Sequence, residues 1–61
     1  METIKQVLMR RDRMSNADAE ELISEARNQL QEYSEDGDLE GAENICEEFF
    51  GLEPDYLVEL L

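Results

Sequence analysis

The sequence predicts an all-α fold, a compact three- to four-helix bundle that forms one small domain over residues 1–61. Apolar residues recur at spacings of three and four along most of the chain, which is the period of an amphipathic helix. No stretch alternates apolar and polar residues as a strand would. Residues that commonly cap helices separate the periodic segments. We therefore expect helices near residues 3–11, 16–34, 39–50 and 54–60.

The first predicted helix carries one apolar stripe, formed by Ile4, Val7 and Leu8. These spacings place the three side chains on the same face. Three arginines lie at its C-terminal end, where positive charge suits the helix dipole. We expect them to pair with acidic helix faces inside the fold, and the alternative is a phosphate-binding patch. The three are Arg10, Arg11 and Arg13.

The second predicted helix begins after Ser15, a residue type that caps helices by accepting a hydrogen bond from the backbone three residues on, here Asp18. It continues for about five turns with one apolar face. Burial of that face must outweigh the repulsion between acidic neighbours such as Glu21 and Glu25. The apolar face contains Ala19, Leu22, Ile23, Ala26, Leu30 and Tyr33.

Two glycines separate the remaining helices. Gly37 ends the second helix because it tolerates positive φ, and Asp38 can cap the third. Gly51 suits the end of the third helix, and Pro54 suits the first turn of the fourth. The expected apolar positions are Ala42, Ile45, Cys46 and Phe49 in the third helix, and Tyr56, Leu57, Leu60 and Leu61 in the fourth.

Charge restricts the partners of this chain. It holds 17 acidic and 5 basic residues, for a net charge of −12. Residues 1–14 have four basic against two acidic residues, a net of +2, whereas residues 15–61 have one against fifteen, a net of −14. Nucleic acids and anionic membrane surfaces repel such a chain. We expect a protein partner, or a second copy of this chain, and no direct binding to nucleic acid or membrane.

The residue types available argue against catalysis. The chain contains no histidine, which is the commonest general base, and its single cysteine, Cys46, lies on a predicted core face. One cysteine without histidine supplies too few ligands for a zinc site. We expect no enzyme activity, no catalytic residue and no cofactor. Because no internal disulfide can form and the start lacks the apolar core of a secretory signal, a cytoplasmic location is predicted.

Residues 36–47 have two interpretations. The favoured one is a turn, a cap and an ordinary amphipathic helix. The alternative is an EF-hand-like calcium loop, with Gly41 at the position where that loop bends sharply. Glu43 counts against it, because it occupies a position that is usually apolar, and no second loop is present for pairing. The carboxylates of this alternative metal site would come from Asp36, Asp38, Glu40 and Glu47.

The C-terminal segment is one candidate for binding a partner. The stretch YLVELL is apolar on nearly all sides, so it is either wrapped by the bundle or forms an interface with another chain. The leading hypothesis is therefore a non-enzymatic protein-interaction module that uses this segment and the acidic surface. The candidate residues in this region are Phe50, Tyr56, Val58 and Leu61.

An acidic stripe on the second helix is the other candidate. Its carboxylates follow one another at steps of three, four and seven residues, which keeps them on one face. They could be an ordinary solvated face, or they could mimic nucleic acid and so inhibit a DNA- or RNA-binding protein. The residues of the stripe are Asp18, Glu21, Glu25 and Glu32.

Two resemblances follow from particular segments. The stretch GDLEGAENICEEFFGLEP looks like the second helix of a tetratricopeptide-type repeat, although this chain is too short for the several copies that such repeats need. The segments IKQVLMRRDRMSNADAEELISEAR and EEFFGLEPDYLVELL resemble small acidic helical proteins of unknown function from bacteria and their phages. That resemblance implies a bacterial or phage origin and a cytoplasmic location, and it supplies no site residues.

Overall fold

The computed structural model describes residues 2–61 and confirms the all-α prediction. Within these residues 78% are helical and none lies in a strand. The helices α1 (Ile4–Arg11), α2 (Asn16–Asp36) and α3 (Leu39–Phe50) are followed by a C-terminal 3-10 helix (Pro54–Glu59). Helix α2 packs against both α1 and α3, and the C-terminal 3-10 helix packs against α3.

Each α-helix begins at a side-chain cap. The oxygen of the capping side chain accepts a hydrogen bond from a backbone N–H in the first turn, which would otherwise lack a partner. Two of the three caps, Ser15 and Asp38, are those that the sequence predicts. The caps are Thr3, which accepts from Gln6 at 3.1 Å, Ser15, which accepts from Asp18 at 3.1 Å, and Asp38, which accepts from Gly41 at 2.9 Å.

Each α-helix is followed, within two residues of its end, by a residue in the left-handed conformation. This arrangement lets the next N–H bond a carbonyl one turn back and satisfies the end of the helix. Gly37 and Gly51 do so at φ +72° and +65°, whereas α1 uses Arg13 at φ +56°. Because Gly37 alone provides the stop, α2 runs two residues beyond its predicted end at 34. The closing hydrogen bonds are Met14 to Leu8, Asp38 to Tyr33 and Leu52 to Cys46.

The fourth helix differs from the prediction of an α-helix over 54–60. It is a 3-10 helix over Pro54–Glu59, and Leu60 donates its N–H to the carbonyl of Leu57 at 2.9 Å. A 3-10 helix has three residues per turn, so Leu57 and Leu60 stand in line. Packing explains the choice, because this alignment turns both leucines toward the bundle at once.

The core lies where the four helices meet. All of its buried residues are apolar or cysteine, and no polar or charged residue within 2–61 is buried. Burial of each valine, leucine, isoleucine or phenylalanine among them contributes about 1.5–3 kcal/mol to folding. The largest of the fully buried side chains are those of Ile4, Leu8, Ile45 and Cys46. The buried residues are Ile4, Val7, Leu8, Ala19, Ala26, Leu30, Ile45, Cys46, Phe50 and Leu60.

Helices α2 and α3 approach closely at Gly41. A Cβ atom added there would lie 2.9 Å from ring atoms of Tyr33 and 2.8 Å from the carboxylate of Asp38. Tyr33 is half-buried at this crossing, and its hydroxyl donates to Glu48 Oε2 at 3.4 Å. Burial raises the pKa of Tyr33, with Glu48 adding to the effect. Gly41 therefore sets the spacing of the two helices.

Replacing Arg13 with glycine should stabilise the fold by about 0.5–1 kcal/mol, because glycine reaches positive φ without a clash at Cβ. Arg13 takes part in none of the ion pairs found within residues 2–61, so no such contact is lost. Urea denaturation measures the change. Arg13→Ala is the control, because it removes the same charge but keeps Cβ. Equal stabilisation by both variants would contradict the backbone explanation.

Replacing Gly41 with alanine should destabilise the fold by about 1–3 kcal/mol, the usual cost of overpacking. At an open helical site the same change would stabilise by about 1 kcal/mol. Thermal unfolding followed by circular dichroism distinguishes the two signs. In a Tyr33→Ala background the cost of Gly41→Ala should shrink, because part of the clash is gone. A stabilising Gly41→Ala in the native background would overturn the close-packing account.

Candidate interaction surface

The C-terminal 3-10 helix is attached to the bundle through Glu59. Its carboxylate oxygen Oε1 accepts a hydrogen bond from the backbone N–H of Ile4 at 3.0 Å. Its backbone carbonyl accepts one from Arg27 Nη2 at 3.2 Å. Ile4 is the first residue of α1, so the carboxylate lies at the positive end of that helix dipole. Glu59 thereby joins the C-terminal segment to both α1 and α2.

Two large apolar side chains of this segment face solvent. Val58 is 72% exposed and Leu61 is 86% exposed. Each follows a leucine that packs toward the core, Val58 after Leu57 and Leu61 after Leu60. Tyr56 is half-buried against the core. Val58 and Leu61 together form a small apolar surface, called here the C-terminal apolar face.

Phe50 is not part of that surface. The sequence interpretation placed Phe49 in the core and Phe50 at a partner site, but Phe50 is 2% exposed and Phe49 is only half-buried. Phe50 lies four residues after Cys46, one turn along the same face of α3, so it points into the bundle. The two rings remain in contact, with their centroids 6.2 Å apart. Phe50 is a core residue, and this part of the partner-site prediction is wrong.

The acidic stripe predicted on α2 is exposed along its whole length. Its four members fall within an arc of about 60° when residues turn by about 100° each. Asp36, at the end of α2, falls on the same line. No basic residue stands in the last turn of α2 to offset these charges. The exposed members of the stripe are Asp18, Glu21, Glu25 and Glu32.

Two of the three N-terminal arginines, Arg10 and Arg11, form ion pairs inside the fold, but with acidic residues of the same N-terminal segment rather than with the acidic faces of other helices. Arg10 makes two hydrogen bonds of 2.7 Å to the carboxylate of Glu2, which lower the pKa of that carboxyl. Arg11 holds Asp12 in the same way and lowers its pKa. Arg11 also donates to the backbone carbonyl of Phe50 at 2.5 Å. That contact places a positive charge at the C-terminal end of α3, where it is favourable.

The residues of the alternative calcium site do not form a loop. Asp36 is the last residue of α2, and Asp38 is occupied as the cap of α3. Glu40, Gly41 and Glu47 lie within α3, so the chain cannot wrap an ion as an EF-hand loop does. Within residues 2–61 no three acidic or cysteine side chains converge as a set of metal ligands.

Cys46 lies at the centre of the core with none of its surface exposed. Burial raises the pKa of its thiol, and the carboxylate of Glu59 raises it further. A raised pKa leaves little of the reactive thiolate at neutral pH. The prediction that Cys46 is a core residue is therefore confirmed.

Sequence reasoning missed the residues that join the C-terminal segment to the helices. Glu59 and Arg27 appear in the sequence as two ordinary surface charges, and their partners are backbone atoms 55 and 32 residues away. No local pattern signals such contacts. Two further exposed apolar residues, Met9 and Leu39, were also not singled out.

Comparison with protein-family models, with curated proteins and with solved structures finds no match to this chain. The resemblance to small acidic bacterial and phage proteins therefore stays a prediction. None of the helices formed by residues 2–61 combines the length and the apolar composition needed to cross a membrane.

Replacing Arg11 with glutamine should lower the melting temperature more than replacing Arg13 with glutamine, because only Arg11 bonds the end of α3. The contribution of the Arg11–Asp12 ion pair to stability depends on pH. Because pairing lowers the pKa of Asp12 in the folded state, its contribution is complete above the ordinary value of about 3.9 and disappears as pH falls through the lowered folded value. Melting curves at neutral pH and at low pH test this. Equal effects of the two variants at neutral pH would contradict the role of Arg11.

Proposed function

We propose that this chain is a non-enzymatic protein-interaction module. The observation that carries the proposal is the C-terminal apolar face, where Val58 and Leu61 are exposed on a protein of net charge −12. Exposed apolar surface surrounded by charge is typical of a binding site for another protein. The partner would cover this face with its own apolar side chains and present basic groups to the surrounding carboxylates.

The size of the apolar face requires this second, electrostatic component. Full burial of a valine and a leucine yields about 3–6 kcal/mol in total, at 1.5–3 kcal/mol each. Association itself costs about 4–15 kcal/mol in lost freedom of motion. The apolar face alone would therefore bind weakly, and complementary charge supports both the rate and the specificity of association.

The charge also favours one kind of partner over another. A second copy of this chain would bring another net charge of −12 to the interface. Such repulsion is screened beyond about 8 Å at physiological salt, but it acts fully on the groups in contact. A protein with a basic surface is therefore favoured as the partner over a second copy of this chain.

A defined set of variants tests the proposal by affinity capture from a nuclease-treated bacterial lysate. Val58→Ser with Leu61→Ser removes the apolar face without changing charge. Asn and Gln replacements of Asp18, Glu21, Glu25 and Glu32 remove the stripe without changing shape. A partner captured by the native chain should be lost with the serine variant, and its purified form should bind at least tenfold more weakly.

Two outcomes would contradict the proposal. One is capture of the same proteins by the native chain and by both variants, and the other is no capture at either low or high salt. A double variant at Gln31 and Asn44, each changed to serine, is the control, because both residues are exposed and belong to neither surface.

Nucleic-acid mimicry is the second candidate, and the density of charge supports it. A net charge of −12 lies along a molecule whose longest dimension is 33 Å, about 2.8 Å per charge. Duplex DNA carries one charge per roughly 1.7 Å. Under this candidate the stripe variant, not the serine variant, would abolish capture, the captured protein would bind DNA or RNA, and moderate salt would release it.

A further inference from the structure

A groove lies between the start of α1, the middle of α2 and the end of the C-terminal 3-10 helix. Its volume is about 370 Å³, within the range of small-molecule sites. Ile4 and Ile23 are the apolar residues beside it, and of the two only Ile23, which is half-buried, has surface open to a ligand, because Ile4 is 1% exposed. Four charged side chains complete it, two basic and two acidic. They are Lys5, Glu20, Arg27 and Glu59.

Several charged side chains of the groove have hydrogen-bond donors or acceptors that no contact within residues 2–61 uses. Lys5 bonds Glu20 at 3.0 Å, an exposed pair of the kind that contributes little and exchanges readily. Arg27 donates one hydrogen bond, to a backbone carbonyl, and forms none of the ion pairs within residues 2–61. Its guanidinium has five N–H donors, so most of them remain for a ligand. Glu59 uses one carboxylate oxygen for Ile4 and keeps the other.

The balance of charge selects the ligand. The groove contains two positive and two negative side chains, whereas the whole chain has a net charge of −12. A purely anionic ligand would be repelled by the net negative charge of the molecule. A purely cationic ligand would be repelled, within the groove, by Lys5 and Arg27. A ligand with both charges close together and an uncharged aliphatic part avoids both penalties.

We propose that this groove binds a free aliphatic α-amino acid. Its carboxylate pairs with Arg27, and its ammonium pairs with the acidic side chains of Glu20 and Glu59. Its side chain rests on Ile23. The proposal does not depend on the protein-interaction function, and it concerns a different surface from the C-terminal apolar face.

The test is a titration of the isotope-labelled protein with L-leucine, followed through backbone amide signals. Saturable shifts are expected at residues around the groove, with a dissociation constant on the order of 1 mM. Three relatives of the ligand each remove one feature. Leucinamide lacks the carboxylate, N-acetyl-leucine lacks the ammonium, and glycine lacks the side chain. Each should bind at least tenfold more weakly than L-leucine.

Matched variants locate the site. Arg27→Gln should weaken L-leucine binding at least tenfold, whereas Arg13→Gln, which removes the same charge beyond the opposite end of α1, should not. Amide spectra of both variants confirm that the fold is intact. Four results would each overturn the proposal: no saturable shift up to about 20 mM L-leucine, shifts outside the groove, binding of N-acetyl-leucine as tight as that of L-leucine, or unchanged binding by Arg27→Gln.

Discussion

The hydrogen bond between the backbone N–H of Ile4 and the carboxylate of Glu59 joins two parts of the chain that are 55 residues apart. It holds the C-terminal 3-10 helix across the start of α1, and Leu60 then completes the core. The same attachment fixes which residues of the segment face outward. The C-terminal apolar face and the groove beside Arg27 both depend on where Glu59 is held.

Local sequence signals predicted most of the helices because the controlling interactions are local. Ser15 and Asp38 cap through atoms three residues away, and Gly37 and Gly51 end helices through their own φ angles. Arg13 escaped notice because arginine is an uncommon choice for the left-handed position. The end of α1 uses the same left-handed conformation as the ends of α2 and α3, but arginine at that position gives no sequence signal for it.

The parts that sequence could not predict are those set by contacts between distant segments. Phe49 and Phe50 are adjacent and chemically alike, so the rotation of α3 against its neighbours decides which one is buried. The 3-10 form of Pro54–Glu59 follows from the simultaneous packing of Leu57 and Leu60. The candidate surface was partly predictable. Exposed carboxylates followed from periodicity, whereas the exposure of Val58 and Leu61 required the whole fold.

The C-terminal apolar face lies on the C-terminal segment, and the groove is lined in part by Glu59 of the same segment. This shared dependence has a thermodynamic consequence. No residue of Pro54–Glu59 is fully buried, so this segment has the least apolar anchoring of the four helical elements. Elements with little buried surface open at lower free-energy cost than the core. A ligand that contacts both Glu59 and Arg27 from the groove would require the segment in its packed position and so would stabilise that position. By linkage, a partner that requires Val58 and Leu61 on the packed segment would then bind more tightly. A partner that requires the segment detached from the bundle would bind more weakly.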